Sequence, residues 1–214
     1  MQIDIYSDTI CPWCYIGKKR LERALAEKPQ PGITFRWRAF QLNPTMPNAG
    51  MNRLRYLELK FGGKEAAEQV YAPIREAGEE ERIDFAFDRM EHTPNTVDSH
   101  RLIRFAESKG RQDEMVETLF QRYFLQAEDI GNPEILAAAA ADAGLERAEV
   151  ERFLESGDLR DEIIGEDEAA RRAGVNGVPC YIVAGRYAMP GAQPPEVLMQ
   201  MFDVAVSEAD KQNA

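Results

Sequence analysis

The sequence is poor in the residue types that usually announce a metalloprotein or a disulfide-stapled scaffold. It has three cysteines and two histidines in 214 residues. Three cysteines are too few for a disulfide framework, and the odd number leaves at least one thiol unpaired. Basic residues are also scarce, with 26 Lys and Arg against 37 Asp and Glu, so the net charge is -11. A surface of that sign repels phosphate backbones and anionic membranes, which excludes nucleic acid as an expected partner. No run approaches the roughly 20 apolar residues needed to span a bilayer. The first segment, MQIDIYSDTICPWC, lacks a cationic start followed by a long apolar stretch, so it does not read as a signal peptide and a cytoplasmic location is expected. Pro (12) and Gly (15) are too few, beside 44% hydrophobic and 29% charged residues, for a disordered chain.

What is present is patterned. Gln2 to Tyr6 alternates, with Ile3 and Ile5 on one side, and predicts a strand. After Cys14, the apolar positions Ile16, Leu21 and Leu25 recur at helical spacing and predict an amphipathic helix ending near Pro29. Ile33, Phe35 and Trp37 alternate with Thr34, Arg36 and Arg38, a half-buried strand entered through Pro31 and Gly32. Strand, helix, strand is the opening of a sheet with a crossover connection. The stretch from Gln41 to Gly50, with Pro44 and Pro47, leaves that unit.

From about Leu54 to Ala173 helical periodicity dominates. Its clearest pieces are Val97 to Ser108, Asp113 to Leu125, Pro133 to Ala143 with Asn132 as N-cap, Ala148 to Glu155, and Leu159 to Arg172. Ile83 to Phe87 alternates and predicts a short extended stretch. After Gly174 the β-prone run Tyr181 to Val183, a turn at Gly185 and a final amphipathic helix behind Pro194 and Pro195 follow. Sheet material thus lies at both ends. The expected fold is α/β, one domain built from residues 1–43 and 174–214, interrupted by a helical insertion over 44–173.

The chemistry concentrates in Cys11, Pro12, Trp13 and Cys14, a CxxC at the start of a helix that follows a strand. The first N–H groups of a helix are unpaired and its dipole favours negative charge there, so a thiolate at Cys11 is expected to draw on both. Cys14, one turn further in, is expected to face the protein and to resolve a mixed disulfide formed at Cys11. Pro12 fixes the turn, and Trp13 offers an apolar platform beside the attacked sulfur. A CxxC is also half of a zinc site, but the other half requires two more ligands at tight spacing. Cys180, His92 and His100 are isolated from one another, so no metal is expected. His100 falls on a predicted helix whose Leu102, Ile103 and Phe105 mark a packing face, and it is assigned a structural or capping role; His92 carries no functional signal.

These pieces resemble the DsbA-like branch of the thioredoxin superfamily, and within it the FrnE-type subgroup related to 2-hydroxychromene-2-carboxylate isomerases and kappa-class glutathione transferases. The matching segments are SDTICPWCYIGKKRLE at Ser7 to Glu22, NTVDSHRLIRFAESKG at Asn95 to Gly110, GVNGVPCYIV at Gly174 to Val183 and GAQPPEVL at Gly191 to Leu198. The resemblance implies a thioredoxin-like fold with a large all-helical insertion. It also implies a cis peptide bond between Val178 and Pro179 facing the two cysteines, with the Val178 backbone available to an extended substrate. The activity it implies is thiol-disulfide exchange on proteins or small thiols, by a monomer or homodimer with no bound cofactor and with glutathione or another thiol as a co-substrate. The alternatives are a glutathione-dependent isomerase or transferase acting on a small aromatic compound, against which the two retained cysteines count, and a peptide-holding module without catalysis. Family members usually carry a bulky aromatic after the proline, where this chain has Cys180. Strand alternation points Cys180 away from Pro179 and into packing; a third redox thiol would have to lie within disulfide reach of Cys11 or Cys14.

Overall fold

The computed structural model describes residues 1–212. Strand β1 (Gln2–Ser7) leads through a short loop into helix α1 (Pro12–Glu27), which returns the chain to β2 (Thr34–Ala39). β1 and β2 pair in parallel, Ile5 opposite Trp37, as a crossover helix requires. Near the C-terminus β5 (Cys180–Val183) pairs antiparallel with β1, and β6 (Tyr187–Pro190) with β5, so the sheet order is β2-β1-β5-β6. Helix α9 (Pro195–Gln212) then packs on α1 and β5. This mixed sheet with helices on it is a thioredoxin-like α/β fold.

Between β2 and β5 run α2 (Arg53–Phe61), α3 (Lys64–Glu80), α4 (Val97–Ser108), α5 (Gln112–Phe120), α6 (Pro133–Asp142), α7 (Arg147–Ser156) and α8 (Arg160–Arg172), making nine α-helices among the described residues. Local chemistry sets their ends: the Asn52 and Asn132 side chains accept N–H groups of the first turns of α2 and α6, and Gly62 and Gly157 close α2 and α7 in the left-handed conformation. Two sequence expectations change in detail. The helix expected to run on to Leu125 widens instead into a π turn at Gln121–Leu125. The stretch from Ile83 joins no sheet: it buries Ile83, Phe85 and Phe87 and enters a 3-10 turn at Phe87–Arg89, with the Ala86 N–H bonded to the Phe124 carbonyl. Alternation reports burial of every second side chain, and here helices supply that burial. The remaining strands, β3 (Met51–Asn52) and β4 (His92–Thr93), make a two-residue ladder.

Sheet alternation divides the interior. Ile3, Ile5, Tyr181 and Val183 share one face and join Ile16, Leu21, Phe120, Phe124, Leu198 and Phe202 in a single apolar cluster that runs from the sheet into the helices. Full burial of each Ile or Leu contributes about 2 kcal/mol. On the opposite face Cys180 packs with Phe40, Ala170 and Val175. A smaller polar system ties the end of β2 to α8. The Ala39 and Gln41 N–H groups donate to Glu166 and Asp167, both at 2.8 Å.

Candidate functional site

Cys11 is the N-cap of α1 and Pro12 occupies the first helical turn, where a missing N–H costs nothing. The loop before it is closed by the Cys11 N–H donating to the Asp8 carbonyl at 3.0 Å, and the helix begins with the Cys14 N–H donating to the Cys11 carbonyl at 3.0 Å. The Cys11 side chain makes no capping hydrogen bond to the helix. The N–H bonds expected at its sulfur are therefore not made; the Cys14 and Tyr15 N–H groups donate to the Cys11 carbonyl instead. The thiol instead points across to the C-terminal half of the chain, 3.6 Å from the Val178 carbonyl oxygen.

The Val178-Pro179 peptide bond is cis. Pro179 is buried, Val178 half-buried, and the Pro179 carbonyl accepts the Gly191 N–H at 2.7 Å. Gly17 lets this loop approach α1: a Cβ there would lie 3.0 Å from Pro179 Cγ and 3.0 Å from the Tyr181 hydroxyl. That hydroxyl donates to the Gly17 carbonyl at 3.3 Å. Pro179 and Tyr181 thus share the α1 side, and Cys180 between them turns away, where burial raises its thiol pKa.

The two cysteines of α1 differ in environment. Both are buried, Cys14 with none of its surface exposed and Cys11 with 4%. Burial pushes the Cys14 thiol well above its ordinary value, and its hydrogen bond to the Cys11 sulfur acts in the same direction. Ser7 and the Asp8 backbone oppose that rise without cancelling it. Trp13, half-buried, lies against the main cluster.

α1 is held in place from below. The Tyr15 ring stacks on Phe120 with centroids 5.1 Å apart. The buried Lys18 ammonium reaches Asp113 at 3.0 Å and Glu117 at 3.3 Å, and also pairs with Glu22. Burial alone would lower the Lys18 pKa, but these carboxylates outweigh it and raise it.

Sequence reasoning missed Asp8. It is fully buried, its Oδ2 accepts the Leu42 N–H at 2.6 Å, and its Oδ1 lies 3.4 Å from His100 Nε2. Its position three residues before Cys11 carries no periodicity that would show burial. His100 does not cap its helix; its ring spans to this carboxylate. His92 bonds the Ala49 carbonyl at 2.9 Å, away from the cysteines in the β3–β4 region. Among the described residues no three His, Cys, Asp or Glu side chains converge as a metal site, and no helix is long and apolar enough to cross a membrane.

A dithiol at the mouth of the first helix of a thioredoxin-like sheet, with a cis-proline loop opposite, defines a class of folds built around a vicinal cysteine pair. Within that class, this chain belongs to the DsbA-like thioredoxin domain family, whose family model matches residues 2–203. It is 30% identical to a probable DsbA oxidoreductase from Streptomyces coelicolor, whose crystal structure superposes with a TM-score of 0.86 over 97% of this chain and 91% of that one. It is 25% identical to YwbO, an uncharacterized protein of Bacillus subtilis (strain 168), over 99% of this chain and 98% of the other. A 2-hydroxychromene-2-carboxylate isomerase shares the fold, with a TM-score of 0.70, 17% identity and coverage of 100% and 98%. The family is one of thiol oxidoreductases.

Proposed function

We propose that this protein exchanges disulfides through Cys11 and Cys14, with Cys11 as the nucleophile and Cys14 as the resolving thiol. The observation that supports this reading is the contrast within the pair: Cys14 is fully buried and its thiol pKa is pushed up, while Cys11 lies nearer the surface, its thiol against the Val178 carbonyl of the cis-proline loop. In the reducing direction the Cys11 thiolate attacks a substrate disulfide, forming an S–S bond to one sulfur and releasing the other as thiolate. Cys14 then loses its proton and attacks the Cys11 sulfur. The internal disulfide closes, the second substrate thiol leaves, and two electrons have passed to the substrate. The oxidising direction is the reverse. Pro12 and Trp13 line the approach to Cys11, and the Val178 backbone is available to pair with an extended peptide beside Pro179. Glutathione or another small thiol would regenerate the dithiol.

The isomerase or transferase reading requires a glutathione thiolate to do the chemistry at a site that needs no cysteine. The two thiols in contact here favour redox exchange. The test is insulin reduction by the wild type, Cys11→Ser and Cys14→Ser, with mass spectrometry of trapped adducts. Cys11→Ser is expected to be inactive and Cys14→Ser to accumulate mixed disulfides at Cys11. Full activity in the double Cys→Ser variant would refute the proposal.

A further inference from the structure

Lys18, Arg53 and Arg101 are the buried basic side chains among the described residues, and two of them face carboxylates. Lys18 reaches Asp113, Glu117 and Glu22, and Arg101 pairs with Asp98. Arg53, at the start of α2 and 7% exposed, pairs with no described carboxylate. Its hydrogen bonds go to neutral hydroxyls, Tyr71 at 2.7 Å and Thr93 at 3.2 Å, and its Nε has no partner. A guanidinium carries five N–H donors, so more are left over than are used. The Tyr56 and Tyr71 rings lie 5.4 and 5.5 Å from its central carbon and offset part of the cost of burial. Neither phenol supplies a negative charge, since burial raises the pKa of both. A buried cation without a counter-charge is costly, and here the protein provides none.

Arg53 lines a cleft of about 80 Å³ between α2, α3 and the 3-10 turn at Phe87–Arg89. That volume holds a group several times the size of a water. Beside Arg53 the wall is buried and mostly apolar, made by Leu57, Ala67, Tyr71, Phe87 and Met90. The other charges in the wall stand nearer solvent. Arg75 is engaged by Glu68 at 3.4 Å and Asp88 at 3.3 Å, whereas Lys64 pairs with no described carboxylate. The wall therefore carries three cationic and two anionic side chains, and a single negative charge balances it. Neither cysteine of α1 belongs to this wall.

We infer that this cleft in the helical insertion is a binding site for a short aliphatic monocarboxylate, held by Arg53. A planar carboxylate matches the guanidinium fork and takes donors that the protein leaves over. The aliphatic chain lies along Leu57, Phe87 and Met90, where burial away from water favours it. A dianion such as phosphate fits less well, because it overbalances the wall and has no use for its apolar side. The inference does not depend on the roles of Cys11 and Cys14.

Calorimetric titration of the full chain with sodium butyrate, at ionic strength matched with sodium chloride, tests the site. Saturable binding of one butyrate per chain is expected. Arg53→Met keeps an apolar stem and removes the charge, and it is expected to weaken butyrate about 30-fold. Lys64→Glu, at an exposed position, reverses the excess charge of the wall and is expected to weaken it about fivefold. That variant decides alone if Arg53→Met does not fold. Absence of saturable binding to the wild type overturns the inference, as does butyrate affinity unchanged in the variants that fold. Parallel titrations with 1-butanol and sodium phosphate fix the ligand class: equal affinity for the alcohol would show that the charge plays no part, and tighter binding of phosphate would show that the site is not one for a monocarboxylate.

Discussion

Gly17 and Pro179 are in direct contact across the molecule: a methyl group at residue 17 would stand 3.0 Å from the proline ring. The glycine is therefore a spacing element. It lets a loop 162 residues later in the chain lie against the first helix, and through that loop it sets where the Val178 carbonyl meets the Cys11 thiol.

Gly17→Ala is expected to push Pro179 outward. Alanine is the better helix former by about 1 kcal/mol, and the overpacking costs about as much or more, so stability should change little. Disulfide exchange, which depends on alignment, should slow by about tenfold. Thermal unfolding and insulin reduction on the same preparation check both halves, and an unslowed variant would show that the loop position does not govern the rate.

Cys180→Ala is expected to keep full exchange activity. The thiol packs with Phe40, Ala170 and Val175 on the face of the sheet opposite Tyr181, so its loss leaves a small void worth about 1 kcal/mol. Insulin reduction at wild-type rate is the expected result; a loss of activity with the fold intact would make Cys180 a working thiol.

Arg101→Met is expected to be among the most destabilising single changes outside the site. The fully buried guanidinium donates to the carbonyls of Asp158, Phe153 and Leu154, at 2.6, 3.0 and 3.4 Å, and pairs with Asp98 at 2.8 Å. Methionine fills the space and strands those acceptors at the end of α7. The cost is about 3 kcal/mol, which lowers Tm by roughly 10 °C in a chain of this size. Calorimetry checks it; a shift under a few degrees would mean that water replaces the guanidinium.

The reduced protein is expected to lose stability as pH rises past about 8.5, the ordinary thiol value. The sign follows from the raised Cys14 pKa. Below the unfolded value both states hold the proton and the contribution is complete. Above it the unfolded chain releases the proton while folded Cys14 retains it, so stability falls by up to about 1.4 kcal/mol per pH unit until the folded value is reached. Urea unfolding of wild type against Cys14→Ser from near-neutral to alkaline pH isolates this effect. A constant difference between the two would show that Cys14 titrates alike in both states.

The strand alternation of Ile3 and Ile5, the helical spacing behind Cys14 and the β-prone run after Pro179 are each patterns within a few consecutive residues, so the α/β frame and the position of the CxxC at a helix start are legible in one dimension. Cys180 facing away from Pro179 is legible for the same reason, since a strand has a period of two. The stretch from Ile83 shows the limit of that reasoning, because alternation signals burial and does not name the element that provides it.

By itself the sequence determined strands β1, β2 and β5, the helical character between them and the pair of cysteines. Only the tertiary structure decided that Asp8 and His100 face each other, that Gly17 makes room for Pro179 and that the Cys11 thiol meets the Val178 carbonyl. Periodicity records which side of its own element a residue occupies. Desolvation and proton acceptance depend on what the other elements bring against that side, and those contacts span 90 residues or more of chain.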